Sequence, residues 1–421
     1  MLRRALILLL LTWLGCWPIW CMPGWDGTEG RRVQIALEML QRGDWMVPTL
    51  GGQPTWAKPP LHYWLLATCA RWFGEGQIAL RLPAVLSVFG AAWAAMELLR
   101  RWFGSRAGWM AALGIVASPL VLAEWPKAEI DPLFASLTAM SIWCLATGVA
   151  REHRMLVVGS GLLGGLALLQ KGPPYFVFAF GAYLVWWRRR GFGLLLLHLV
   201  PMLLVALAYF GPLLLWRIAP AELLAVANEE SIGRLALFGW ENVRTIPEFW
   251  LRAILVQAPF VFWCFWEWRG ARNARMDAGD LTLRMCSGAA VTAIALLTLF
   301  PGRPTRYLLP NVLLFTFAVA PAVAHFAEQR GRLPLFARRV LGLVGVAGAA
   351  ALIVVPFVPR AGVAGLGLAL AAALAPLAVR TPRHVVVCCL ALPLVAAWTI
   401  VLERSLGWPN GPRDRVQGAT L

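Results

Sequence analysis

Charged side chains are scarce in this sequence, and acids are scarcer than bases. Only 14% of its 421 residues are Asp, Glu, Lys or Arg, and 21 acids stand against 38 bases. A soluble domain carries about 25% charged residues, so the deficit argues against a water-soluble globule. Cysteine offers no framework either. Cys16, Cys21, Cys69, Cys144, Cys264, Cys286, Cys388 and Cys389 lie mostly in or beside apolar runs, without metal-site spacing, and read as small buried hydrophobes. No nucleotide-binding loop is present. Residues 159–164 spell a formal GxGxxG, but no strand–helix–strand pattern surrounds them, so they read as small residues for close helix packing. No basic–aromatic soluble domain exists to make the +17 net charge a nucleic-acid footprint.

Apolar length is what the chain has in quantity. Apolar residues make up 60% of it. Long runs lie near 5–21, 80–98, 108–123, 132–150, 155–169, 174–187, 192–216, 249–266, 285–300, 307–327, 340–357, 363–379 and 385–402. At roughly 20 residues per crossing, these predict an all-α polytopic membrane protein of about 13 spans. The 155–169 and 174–187 pieces are short, and a re-entrant hairpin is open for them. With the N-terminus inside, every short inside loop is basic, from Arg3 and Arg4 through Arg100, Arg101 and Arg106 to Arg188, Arg189 and Arg190. That is the positive-inside pattern, and it accounts for the net charge. Residues 1–21 resemble a signal peptide but lack a small-residue cleavage site, so an uncleaved anchor is expected.

The outside segments carry the chemistry. Residues 22–79 are expected to begin with a short interfacial helix from Arg31 to Arg42, with Val33, Leu37 and Leu40 on one side. Gly43 and Asp44 end it, turns follow at Pro48, Gly51, Gly52 and Pro54, and an aromatic helix starts at Pro59-Pro60. The segment 124–131 holds Glu124, Lys127, Glu129 and Asp131, of which Asp131 is suited to cap the next helix. Lys171 sits in Gln-Lys-Gly-Pro-Pro between two short apolar runs, a costly place for a cation without an anion or a path to the interface. Residues 217–248 include Glu229 and Arg234, and Arg303, Arg306 and Tyr307 enter a later span. Carboxylates facing cations at a lipid interface suit a reaction with a lipid-borne phosphate leaving group. The cations take up its developing charge, and a carboxylate accepts the proton of an incoming hydroxyl.

At these residues the chain resembles the bacterial GT-C membrane glycosyltransferases that use polyprenyl-phosphate sugars, the branch of aminoarabinose transferase and protein O-mannosyltransferase-like enzymes. The resemblance is carried by Thr28-Glu29-Gly30-Arg31-Arg32, Glu38-Met39-Leu40, Gly43-Asp44-Trp45, Pro48 and Lys58-Pro59-Pro60-Leu61-His62-Tyr63-Trp64. Asp131-Pro132, Leu169 to Pro173, Arg234 and Arg303 to Pro310 extend it, over roughly residues 1–330. Three positions depart from the branch's pattern. Thr28 replaces the first acid of a pair, Arg32 a tyrosine, and Ala57 a residue that is often Glu.

The resemblance implies an inverting transfer of a sugar from polyprenyl (undecaprenyl) phosphate to a lipid, glycan or protein acceptor. Glu29, Asp131 and Asp26 are the expected catalytic acids, with Glu29 or Asp26 filling the first-loop role. Lys58, Arg234, Arg303, Arg31 and Tyr307 are expected at the donor phosphate, and Glu129, Lys171, Glu229 and Arg306 are further candidates. A divalent metal is left open. The implied layout is a catalytic membrane domain over 1–330, with periplasmic loops 22–79, 124–131 and 217–248, and motif-free helices over 331–421. The implied location is the bacterial inner membrane, with the N-terminus cytoplasmic and the site periplasmic. A transporter or flippase for a lipid-linked or anionic solute is the alternative.

Overall fold

The structure, a computed structural model, describes residues 2–16, 24–25, 27–190, 193–218, 243–257, 278–300 and 304–328. By internal contacts the chain divides into residues 1–324 and 325–421, and the second unit falls almost wholly outside the described residues. The expected spans at 340–357, 363–379 and 385–402 lie there. Among the described residues the regular structure of the first unit is helical apart from one hairpin of two-residue strands.

Helix α1 (Leu2–Cys16) precedes the first loop region, whose ordered parts are α2 (Glu29–Arg42), the β1–β2 hairpin (Thr49–Leu50 and Gln53–Pro54) and α3 (Leu61–Phe73). Gly43 ends α2 in the left-handed conformation, and Gly51 and Gly52 both take positive φ in the hairpin turn. The buried stripe of α2 is Val33, Ile35, Ala36 and Met39, with Leu37 and Leu40 only half-buried at its edge. The expected apolar face is therefore rotated. α2 packs on α3 and buries Tyr63, Leu66, Ala67 and Ala70 against Leu80 and Ala128, so protein rather than lipid covers its inner side.

The helices of the bundle are α4 (Gln77–Phe103), α5 (Ser105–Val116), α7 (Ile130–Ala150), α8 (Arg154–Lys171), α9 (Pro174–Arg190), α10 (Gly193–Trp216), α12 (Ala278–Thr298) and α13 (Leu309–Glu328). Five stretches among them are long and apolar enough to cross a membrane: Gln77–Phe103, Ile130–Ala150, Gly193–Trp216, Leu281–Thr298 and Thr305–His325. The expected span at 108–123 is broken. α5 stops at Val116, and Pro119 restarts the chain as the six-residue α6 (Pro119–Glu124). The expected span near 249–266 is described only in its first part, as the amphipathic α11 (Ile246–Leu255), with Phe249 and Ala253 buried and Trp250, Leu251 and Ile254 exposed.

α7 is the centre of the bundle and packs on α4, α8, α9 and α12. α10 is apolar all round and largely exposed, as expected of a helix facing lipid. α8 lies between α7 and α10 while α9 runs mainly along α12, so the two short runs are separate bundle helices and not a hairpin. The glycine run works as the small-residue seam expected of it. A Cβ on Gly161 would lie 2.2 Å from the His198 carbonyl, and one on Gly165 would lie 2.8 Å from that of Met202.

Candidate functional site

The first-loop motifs build a platform before they build any chemistry. The Glu38 carboxylate accepts from Thr49 Oγ1 (2.8 Å), the Gly51 and Gly52 amides (2.8 and 3.1 Å) and Gln34 Nε2 (3.0 Å), pinning the hairpin to α2. Burial pushes this carboxyl up, and the four donors outweigh it, leaving it below its ordinary range. Asp44 Oδ1 accepts the Met46 and Val47 amides at 2.9 and 3.3 Å. The turn it closes is fastened by Trp64 Nε1 donating to the Trp45 carbonyl (2.5 Å) and Tyr209 donating to that of Met46 (3.0 Å). Glu38 and Asp44 therefore hold backbone, and the platform is fixed to α3 and α10.

Under the platform lies a buried polar layer. Glu29 is fully buried and paired with Arg81 of α4, itself 1% exposed, through contacts of 3.0 and 2.9 Å. The Ala128 amide also donates to Glu29 Oε1 (2.5 Å), and Arg81 donates to the Gly24 carbonyl (3.0 Å). Both oxygens of Glu29 are thus engaged, and it ties three segments together. Beside it the Thr28 amide and hydroxyl donate to Glu129 Oε1 at 3.0 and 2.5 Å. His62 Nε2 donates to the Ala128 carbonyl (3.1 Å), and Gln170 Nε2 reaches both His62 Nδ1 (3.3 Å) and the Ile130 carbonyl (3.1 Å). Burial pulls the His62 pKa to about 4, against smaller upward pulls from the Ala128 carbonyl and Asp131. The ring is therefore neutral near pH 7, which suits its donor–acceptor pairing.

The charged centre forms where α7, α8 and the 3₁₀ turn Thr305–Leu308 meet. Asp131 falls in the first turn of α7, and Glu129, not Asp131, holds the cap position. Asp131 Oδ1 is paired with Lys171 at the end of α8, and Oδ2 lies 3.3 Å from Arg306 Nε. Lys171 Nζ sits 4.2 Å from the Tyr307 ring centroid and 5.2 Å from that of Phe134. Gly172 turns the chain at φ +83°, and a Cβ there would touch Pro59 at 3.9 Å, which sets the Lys58-Pro59 segment beside Lys171. Glu124 lies 3.4 Å from Lys127. Burial raises the Glu124 carboxyl, with Lys127 opposing and Asp131 adding to the rise.

Asp131, Lys171, Arg306 and Tyr307 are therefore brought into one cluster, with Lys58 in the adjoining segment. Glu129 and Glu29 lie in the buried layer, and Arg31 is exposed on α2. Asp26, Glu229, Arg234 and Arg303 lie outside the described residues. Among the described residues no group of three or more His, Cys, Asp and Glu side chains is placed to hold a metal ion. Three participants went unread in the sequence: Arg81, His62 and Gln170. Arg81 had a signal, since a lone arginine just inside an apolar span must find a partner. His62 and Gln170 had none beyond lying within motifs.

Residues 57–216 match the family model described as dolichyl-phosphate-mannose-protein mannosyltransferase. The undecaprenyl phosphate-alpha-4-amino-4-deoxy-L-arabinose arabinosyl transferase of Pseudomonas savastanoi pv. phaseolicola is 26% identical over 353 residues, 77% of this chain and 61% of the relative. The chain thus spans about three fifths of that relative's length. Among solved structures, ArnT from Cupriavidus metallidurans bound to undecaprenyl phosphate superposes with a TM-score of 0.74 at 19% identity, over 96% of this chain and 77% of that one. Arabinosyltransferase EmbB from Mycobacterium smegmatis gives 0.54 at 16% identity, over 94% and 40%.

Proposed function

We propose that this chain, a multi-pass membrane protein with the GT-C glycosyltransferase fold, moves a sugar from a polyprenyl phosphate to a hydroxyl on a lipid, glycan or protein acceptor. One observation carries the reading. Motifs from sequence positions 131, 171 and 306 meet as a cation-rich centre at the loop-bearing ends of apolar helices. Lys171 and Arg306 hold the phosphate and take up the charge it gains as the sugar leaves. Asp131 keeps both cations in place, and the Tyr307 and Phe134 rings wall the lysine. Lys58, Arg31, Arg234 and Arg303 are assigned to the same phosphate. A carboxylate of the loop face takes the acceptor's proton, and attack opposite the phosphate inverts the anomeric carbon. Glu29 is assigned an anchoring role, because both its oxygens are bound to Arg81 and Ala128. The similarity to an undecaprenyl-phosphate-sugar transferase supports the lipid donor. The basic inside loops support a bacterial inner-membrane location with the N-terminus cytoplasmic and the site periplasmic, and the catalytic part is assigned to residues 1–330.

The test is undecaprenyl phosphate binding by the purified protein in lipid nanodiscs. Lys171→Ala and Arg306→Ala should each weaken binding about tenfold or more, since a hydrogen bond to a charged group contributes roughly 1.5–3 kcal/mol. A wild-type protein that does not bind the lipid, or variants that bind it as well as wild type, would overturn the reading.

A further inference from the structure

Among the described carboxylates of the platform, the buried layer and the charged centre, one oxygen has neither a hydrogen bond nor an ion pair. Glu38 and Glu29 have both oxygens bound to donors. Asp131 has a cation on each oxygen, and Glu124 lies 3.4 Å from Lys127 through both of its own. Glu129 is different. It is 3% exposed, its Oε1 takes both Thr28 donors, and its Oε2 has no hydrogen-bond partner among the described residues. Oε2 is not among the fully buried polar atoms that lack a partner, so in a residue that is otherwise enclosed it is the oxygen that remains within reach of the loop face.

The local geometry aims this residue deliberately. Glu129 stands at the N-cap of α7 in extended conformation, yet its side chain makes no cap hydrogen bond to that helix. It turns instead to a residue 101 positions earlier in the chain. Gly27, at φ +59°, makes the turn that presents the Thr28 amide and hydroxyl together, and a Cβ there would come within 3.8 Å of Glu129 Oε1. Two positions along α7, Asp131 holds Lys171 and Arg306.

We propose that Glu129 is the base that deprotonates the acceptor hydroxyl, and that Thr28 is the residue that positions it; this rests on the glycosyltransferase reading above. The hydroxyl proton passes to Glu129 Oε2. The acceptor oxygen bonds to the anomeric carbon as that carbon's bond to the phosphate oxygen breaks. The phosphate oxygen keeps the electron pair and leaves as polyprenyl phosphate beside Lys171 and Arg306. Glu129 then returns its proton to water at the loop face. Thr28 fits this work because a neutral donor pair fixes Oε1 without adding a second negative charge, and so leaves Oε2 as the proton acceptor.

The experiment uses cells deleted for the gene and complemented with full-length variants. Envelope glycolipids and glycoproteins are profiled by mass spectrometry for the sugar addition that deletion removes. Undecaprenyl phosphate binding by each purified variant is measured alongside. Glu129→Gln should cut the addition at least 100-fold with lipid binding within twofold of wild type. Thr28→Val should cut it about tenfold, and Thr28→Ser, which restores the hydroxyl, should come within threefold of wild type. A Glu129→Gln variant that binds the lipid and keeps more than a tenth of the product would overturn the proposal, even if Lys171→Ala abolishes product and the broader reading stands. Equal activity of Thr28→Val and Thr28→Ser would overturn the positioning role, and this holds even if Glu129→Gln fails to fold. If deletion removes no sugar addition at all, the glycosyltransferase reading itself falls, and this proposal with it.

Discussion

Glu29 and Arg81 bury a complete ion pair beneath the first loop, at 0% and 1% exposure. Removing one partner leaves the other's buried charge without its counter-charge, at a cost of roughly 3–5 kcal/mol. Arg81→Met should therefore lower the unfolding midpoint in detergent sharply, and Glu29→Gln less so because the amide can still accept one hydrogen bond. Thermal unfolding followed by tryptophan fluorescence checks this, and midpoints close to wild type for both would show that the pair does not tie the segments. His62 adds a pH dependence. Its pKa falls from 6.5 to about 4 on burial, so between those values the unfolded chain takes up a proton that the folded chain refuses. Its contribution to stability is full above about pH 6.5 and shrinks as pH falls through the window. At about 1.4 kcal/mol per pH unit, on the order of 2 kcal/mol is lost by pH 5. The midpoint of the wild type should drop more between pH 7 and pH 5 than that of His62→Gln; parallel curves would contradict it. Sequence reading found Glu29 as an acid but not its partner. Burial and pairing join residues 52 positions apart, and no local pattern carries that information.

At the scale of elements, composition and period predicted most of the described helices. Apolar runs marked α4, α7 and α10, and Pro59-Pro60 marked the start of α3. Two departures have plain causes. Pro119 interrupts an apolar run that hydropathy alone reads as continuous, and α2 is rotated because its inner side packs on α3, Leu80 and Ala128. The glycine seam of α8 was legible, and its partner helix was not. Gly161→Leu should separate α8 from α10, because even a Cβ there would fall 2.2 Å from the His198 carbonyl. Overpacking of this kind costs about 1–3 kcal/mol or more. It should also disturb the buried contacts of His198 with Ser160 and Tyr183, each 2.8 Å. A lowered unfolding midpoint and loss of well-folded protein on size exclusion are the expected outcomes, and wild-type behaviour would show that the seam tolerates a side chain.

Across the whole molecule, the fold gathers charged residues that its apolar composition otherwise excludes. The alternation of basic and motif-bearing loops predicted that the candidate residues share one face, and among the described residues Asp131, Lys171, Arg306 and Tyr307 do come together. Which carboxylate pairs with which cation was not legible, since that depends on how the ends of α7, α8 and the turn at Thr305–Leu308 come together. The proposed reaction at this face is transfer of a sugar from a lipid phosphate held by Lys171 and Arg306. The most direct measurement is release of undecaprenyl phosphate from undecaprenyl-phosphate-linked aminoarabinose, and from the pool of lipid-linked sugars extracted from the native membrane, by purified protein supplied with an envelope extract as acceptor. Wild type should release the lipid phosphate from at least the native pool only when acceptor is present, and the Lys171→Ala, Arg306→Ala double variant should not. Transfer by the double variant at the wild-type rate, or no release by wild type from either donor, would contradict the proposed reaction.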